Sequence, residues 1–395
     1  MRNVPKLRFK EFTDEWEEKR LGNYLIEFKE KIPYTTNLPK LTSSRKGLLF
    51  QKDYYDNREV KTETEYGLLP RGYFTYRHMS DDLIFKFNIN DLVDNGAISK
   101  EYPVFTTKNF DSRFLYYLLN YGDDFKKFAI EQKQGGTRTR LYFKKLITFS
   151  PKAPILNEQN KIGKFIFNID KRISITEEKL NLFNEYKKGI MHKLFNQELR
   201  FKDANGNDYP EWEEKKLGEL LEEYNEKTTT NNQYPILSST AGGIYLQSEY
   251  FNKQTASENN IGYKIIPKGY FTYRSMSDTG NFTFNIQERI NFGIVSPAYP
   301  VFSTKLEKCN KKFLFFYLNN SDFIKEQILV LKEGGTRYAL SYSKFIKLFS
   351  KLPCLEEQQK IADFLSSIDT KIEKISDELE NLKEFKKGLL QQMFV

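Results

Sequence analysis

The chain has 395 residues, a net charge of +9, two histidines and two cysteines, long enough for two to four domains with real cores. No apolar run approaches the ~18 residues that span a bilayer, the opening Met1-Arg2-Asn3-Val4-Pro5-Lys6 has no apolar stretch behind its charges, and Cys309 and Cys354 stand in no metal-type spacing, so a cytoplasmic protein without membrane segment, secretory signal or metal site is expected. Residues 1–196 hold 36 Lys and Arg against 26 Asp and Glu while residues 197–395 hold 26 against 27, and a basic excess favours a polyanion by counterion release, although an AT-rich genome also enriches Lys.

The chain is written twice. Leu7-Arg8-Phe9-Lys10 and Glu15-Trp16-Glu17-Glu18-Lys19 return as Leu199-Arg200-Phe201-Lys202 and Glu211-Trp212-Glu213-Glu214-Lys215. Gly72 to Arg77 returns as Gly269 to Arg274, Tyr102 to Phe105 as Tyr299 to Phe302, and Lys187-Lys188-Gly189 as Lys386-Lys387-Gly388. The order is kept and the offset stays between 192 and 200, so the repeating unit is about 195 residues. Expected boundaries are a first globular domain at 1–153, a long helix at 154–196, a second globular domain at 197–352 and a second long helix at 353–395.

The first part of each copy mixes short aromatic and β-branched runs with Gly, Pro, Asn and Asp, the texture of an α+β domain. Thr42-Ser43-Ser44-Arg45-Lys46-Gly47, opposite Ser238-Ser239-Thr240-Ala241-Gly242-Gly243, is either a plain Ser/Gly loop or a contact loop. Leu68 to Tyr76 and its copy predict a turn followed by a strand. At the strand end, Arg77-His78-Met79-Ser80 and Arg274-Ser275-Met276-Ser277 offer polar groups suited to base edges, or simply an exposed turn. Asp111 to Phe128 and Asn310 to Ile328 predict helices with an aromatic face.

Next comes the strongest candidate for nucleic-acid contact. Lys133-Gln134-Gly135-Gly136-Thr137-Arg138-Thr139-Arg140 precedes Lys144-Lys145, and residues 126–145 hold seven basic side chains against Glu131 alone. Glycine lets backbone N–H groups approach a phosphate, Thr137 can donate to it, and an Arg can grip a phosphate or a guanine edge. The copy is Lys332-Glu333-Gly334-Gly335-Thr336-Arg337. A helix C-cap would require only the glycine. Both readings fit the sequence.

After Pro154 and Pro353 the pattern changes. Ile162, Ile166, Ile169, Ile173, Thr176, Leu180, Phe183, Lys187, Ile190 and Leu194 step by four and three, and 199 residues later stand Ile361, Leu365, Ile368, Ile372, Ile375, Leu379, Leu382, Lys386, Leu389 and Met393. A 3.5-residue period held this long is a coiled-coil seam. Each helix predicts a length of roughly 57 Å at 1.5 Å per residue, with the other helix as the expected partner and the adjoining domain or another molecule as alternatives. Lys187 and Lys386 either fix register or turn outward. Antiparallel pairing would place two reading modules one DNA turn apart, on the order of 34 Å; the pattern alone does not select it over parallel pairing.

Enzyme signatures are poor. No Gly-rich phosphate or dinucleotide loop follows a strand, and His78 and His192 do not recur between copies. Ser296-Pro297-Ala298-Tyr299 lacks the second proline of the motif that grips a flipped adenine, and its counterpart is Ser99-Lys100-Glu101-Tyr102.

Taken together, Pro5-Lys6-Leu7-Arg8-Phe9 with Glu15-Trp16, Pro154 with Glu158-Gln159-Asn160-Lys161-Ile162, Pro353 with Glu357-Gln358-Gln359-Lys360-Ile361, and the two Lys-Lys-Gly helix ends resemble the specificity subunit of type I restriction-modification enzymes. The likeness spans nearly the whole chain. It implies two target recognition domains joined by antiparallel helices, each domain reading half of a bipartite DNA sequence across an unread spacer. It further implies a non-catalytic subunit with no cofactor of its own, partnered by double-stranded DNA, two modification subunits carrying S-adenosylmethionine, and restriction subunits using Mg and ATP. The expected DNA-binding residues are Ser43, Ser44, Arg45, Arg77, His78, Thr137, Arg138, Arg140, Ser239, Thr240, Arg274, Ser275, Thr336 and Arg337. A self-contained adenine methyltransferase and a coiled-coil scaffold without a DNA role are the competing readings. About half the positions are identical between residues 65–108 and 262–305, so the two half-sites are expected to be related in inverted orientation. Differences are expected where Arg45 faces Ala241, His78 faces Ser275, and Arg140 faces the Tyr338-Ala339 region.

Overall fold

The computed structural model describes residues 4–56, 65–133, 138–250, 259–330 and 337–394. The chain divides into two compact units, Met1–Glu178 with Asp377–Val395, and Lys179–Ser376. Each unit is a mixed α/β module together with part of each of two long helices, Leu156–Phe195 and Leu355–Met393.

In the first unit the central sheet is antiparallel, in the order Leu25–Phe28, Val104–Thr107, Phe74–Tyr76, Phe87–Ile89. Strand Phe74–Tyr76 is buried on both faces, which is why its sequence is continuously apolar or small rather than alternating. Phe74 stacks on Phe105 with centroids 4.9 Å apart. The second unit repeats the plan with Leu221–Glu223, Val301–Thr304, Phe271–Thr272 and Asn285–Ile286, and Phe271 stacks on Phe302 at 5.1 Å.

The stretch expected as a turn leading into a strand is strand, turn and strand: Tyr66–Pro70, then Phe74–Tyr76. Gly72 takes φ +80 and Gly269 takes φ +83, a left-handed conformation that disfavours other residues, and each donates its N–H to a carbonyl, of Asn90 and Gln287 respectively. Each expected aromatic helix is also two helices, Ser112–Tyr121 then Asp123–Glu131, and Lys311–Asn320 then Asp322–Val330. The backbone is extended at Gly122 and Ser321, and the aspartates that follow favour the fresh N-terminus.

The recurring Glu-Gln pair fastens each long helix to its module. Gln159 donates to the Pro154 carbonyl at 2.8 Å and accepts from the Asp111 N–H at 3.0 Å, while Asp111 caps helix Ser112–Tyr121 through Phe114 N–H at 2.7 Å. Gln358, Pro353, Asn310 and Phe313 repeat the arrangement. Glu158 is fully buried and is gripped by Arg8 through Nε and Nη2, both at 2.7 Å. Glu357 is held likewise by Arg200, at 3.3 and 2.8 Å.

Within each unit the two long helices run antiparallel. In the first, Lys386 meets Asp170 at 2.5 Å and Lys383 meets Glu177 at 2.6 Å. In the second, Lys187 meets Asp369 at 2.5 Å. Both seam lysines also lie over rings of their module, Lys386 over Tyr121 at 5.0 Å and Lys187 over Phe316 at 5.4 Å. They therefore bridge helix to helix rather than turning to water.

The seam packs differently along its length. Ile162, Ile166 and Ile169 join Leu389 and Met393 in the core of the first module, where Phe394 also reaches Phe114 at 5.3 Å. Ile361, Leu365 and Ile368 join Leu194 in the core of the second. Ile173, Ile190 and Ile372 pack at the edges of these cores. Ile375 and Leu379 are buried, while Leu180, Phe183 and Leu382 are half-buried. Helix partner and adjoining module thus both cover the stripe, which the periodicity presented as alternatives. Among the described residues no helix is long and apolar enough to cross a membrane.

Arg8→Ala strands a buried carboxylate, which costs about 3–5 kcal/mol. Urea unfolding of the variant should show a loss of that size, and a loss below 1 kcal/mol would contradict the clamp.

Candidate nucleic-acid interface

In the first unit two loops line one groove and a third pairs with the second of them. The hairpin Leu41–Ser44 with Gly47–Phe50 turns through Arg45-Lys46. Its Ser44 hydroxyl donates to the Gly47 carbonyl at 2.9 Å and accepts from the Lys46 N–H at 3.1 Å. Behind the turn, Asn88 on the central sheet donates to Ser43 Oγ at 2.8 Å and to the Ser44 carbonyl at 3.1 Å. The second loop leaves the sheet as Arg77-His78 and pairs as Met79–Ser80 with the third, Thr139–Arg140. Buried Tyr76 anchors this ribbon, its hydroxyl donating to the Leu141 carbonyl at 2.9 Å.

The second unit builds the same groove. Asn285 donates to Ser239 Oγ at 2.8 Å and to the Thr240 carbonyl at 2.9 Å, Met276–Ser277 pairs with Tyr338–Ala339, and Leu340 N–H donates to the Ser275 carbonyl at 2.9 Å. Ser44, Arg77, Ser80, Asp81 and Tyr102 line the first groove; Thr240, Arg274, Ser277, Asp278 and Tyr299 line the second at equivalent positions.

The candidate residues separate by placement. Ser43 and Ser239 are buried and hold the hairpins to the sheet. His78 is buried too, stacked on Tyr142 at 5.4 Å, and burial holds its pKa below the ordinary imidazole value. Ser44, Thr240 and Ser275 are half-buried, and Arg45, Arg77, Arg138, Arg140, Arg274 and Arg337 are exposed. Three of those arginines meet carboxylates: Arg45 with Asp82 at 2.6 Å, Arg138 with Asp81 at 2.9 Å and Arg337 with Asp278 at 2.8 Å. Thr137 and Thr336 lie outside the described residues.

Sequence reasoning did not single out Asp81 and Asp278, Asn88 and Asn285, or Tyr102 and Tyr299. Their signal was identity between the copies, in Met-Ser-Asp, Phe-Asn-Ile and Tyr-Pro-Val-Phe. The two tyrosines close the Ser-x-x-Tyr segments set aside as a failed catalytic motif, and burial pushes the Tyr102 phenol above its ordinary pKa.

The family model for the type I restriction modification DNA specificity domain matches residues 17–184 and again 209–384. The chain belongs to this family, with one domain per repeat. It is 26% identical over 328 residues to the type I restriction enzyme MjaVIII specificity subunit of Methanocaldococcus jannaschii, covering 75% of this chain and 72% of that one. A putative MjaX specificity subunit from the same organism is 24% identical, covering 98% and 95%. The crystal structure of a type I restriction-modification S subunit from M. genitalium shares the fold at a TM-score of 0.57 and 15% identity, covering 99% of both chains.

The two grooves differ in charge. Arg45, Lys46, Arg77 and Lys86 line the first, whereas Arg274 is the only basic residue lining the second among the described residues. Ala241 and Gly242 stand where the first copy has Arg45 and Lys46, and Thr283 stands where it has Lys86. The first specificity domain should therefore carry more of the salt-dependent affinity. Lys46→Ala should weaken binding about equally on all DNA sequences and flatten the log K against log salt slope by about 0.9, measurable by fluorescence anisotropy. An unchanged slope would remove Lys46 from the phosphate contacts.

Proposed function

We propose that this chain is the non-catalytic DNA-reading subunit of a cytoplasmic type I restriction-modification complex, each module contacting one half of a bipartite target in double-stranded DNA. The observation that carries this reading is the twin groove. Two domains of one chain present Arg77 and Arg274, Ser80 and Ser277, Asp81 and Asp278 at equivalent edges, as reading two related sites requires. The paired helices would set the unread spacer and dock two modification subunits, which would supply S-adenosylmethionine; restriction subunits with Mg and ATP would complete the complex.

The test is adenine methylation mapped by single-molecule sequencing in cells with and without this chain. A bipartite motif should vanish when the chain is removed. Methylation of DNA by the purified chain with S-adenosylmethionine alone would establish the self-contained methyltransferase instead, and absence of any salt-dependent DNA binding would leave a scaffold. Because the groove positions match, the half-sites should be related in inverted orientation. Two wholly unrelated half-sites would count against that.

The spacer has its own test. Inserting one helical turn, about 5.4 Å, into both long helices should lengthen the preferred spacer by roughly one or two base pairs. Methylome sequencing of the insertion variant reads this directly, and an unchanged spacer would oppose the ruler role.

A further inference from the structure

We propose that Arg138 and Arg337 each read a guanine in the major groove, with Asp81 and Asp278 as the positioning residues that aim them. This rests on the reading that both modules bind DNA. The pairing register Thr139↔Ser80 and Arg140↔Met79 sets Arg138 directly across from Asp81 at the open end of the ribbon. In the second unit Tyr338↔Ser277 and Ala339↔Met276 set Arg337 across from Asp278. Facing positions of this kind bring side chains into contact. In both modules it is Nε that meets Oδ1, at 2.9 and 2.8 Å. Both pairs are equally open, the arginines 56% exposed and the aspartates 67%.

A guanidinium held by Nε keeps its two terminal nitrogens side by side and pointing away from the carboxylate. Guanine presents two acceptors, O6 and N7, to such a fork, while adenine presents N7 beside a donor amino group. A fixed plane matters for a base edge and little for a phosphate, which accepts from many directions. Neutralising the arginine with a carboxylate also weakens its general pull on phosphates.

Comparison within the same loops sharpens the assignment. Arg45 meets Asp82 through Nη2 at 2.6 Å, so one end of its fork is already occupied. Both members of that pair are replaced in the second copy, by Ala241 and Thr279. The Nε-held pair persists although its neighbours diverge, Thr139-Arg140 against Tyr338-Ala339 and Asp82-Leu83 against Thr279-Gly280. The persistent pair assigns a guanine shared by the half-sites, and the replaced pair lies where they differ.

The test uses the full chain assembled with its modification subunits and duplexes carrying the methylated target, each base pair replaced in turn at fixed salt. The wild-type complex should prefer guanine at one position of each half-site by about 5- to 150-fold and lose that preference when 7-deazaguanine removes N7. Arg138→Ala should abolish the preference in one half-site and leave the other intact, which also shows that the variant is folded; Arg337→Ala should do the reverse. Asp81→Asn should lower the preference at the same base pair as Arg138→Ala and at no other. Equal weakening on every duplex would make Arg138 a phosphate contact and overturn the proposal. So would tighter binding of Asp81→Asn on all sequences with base preferences unchanged, or tolerance of 7-deazaguanine. Failure of the wild-type complex to distinguish its target from a scrambled duplex would instead overturn the DNA-reading role beneath it.

Discussion

A carboxylate with no exposure to water sits at the start of each long helix, and it is tolerable only because a guanidinium reaches it. Glu158 and Glu357 are each gripped by an arginine 150 and 157 residues earlier in the chain, from the segment that precedes the module. Desolvating such a pair is costly and its loss more so, so the geometry is not free to drift. The neighbouring glutamine then bonds the residue that caps helix Ser112–Tyr121 or its copy Lys311–Asn320. Entry to the module, exit from it and its central helix are thereby tied at one point, and the module is carried by the long helix rather than tethered to it.

That attachment explains why the seam residues have two kinds of neighbour. Near each module the apolar stripe is absorbed into the module's core, and the partner helix adds its own Leu389, Met393 or Leu194 to the same cluster. The half-buried lysines resolve the polar interruption of each stripe. Their ammonium groups find an aspartate on the opposite helix and an aromatic face on the module, so one side chain links three elements. Polar seam residues that must meet one partner restrict register in the way a purely apolar stripe cannot.

The grooves apply the same economy of means to a surface. Inward-facing Ser43 and Ser239 fix the hairpins through Asn88 and Asn285, leaving the turn residues outside free to vary. Variation has used that freedom: the first groove is strongly basic and the second relies on neutral hydroxyl and amide groups. Shared support with divergent tips is the arrangement by which loops change what they contact without disturbing the fold.

The sequence by itself determined the duplication, the α+β texture of each copy and the two long helices, because repeats and a 3.5-residue period are local patterns that survive without contacts. It also brought forward the Ser43-Ser44-Arg45 and Arg77 segments and their copies, which line the grooves. It did not separate Ser43 from Ser44, since facing inward depends on an asparagine 45 residues away. It left parallel and antiparallel pairing open, because a heptad stripe is the same read in either direction and only Lys187 with Asp369 and Lys386 with Asp170 distinguish them. Asp81 escaped notice for a similar reason. Its partner Arg138 lies 57 residues on, and the cross-strand register that sets them face to face is fixed by burial of Tyr76 and Leu141 beneath the ribbon, a tertiary fact that no local spacing encodes.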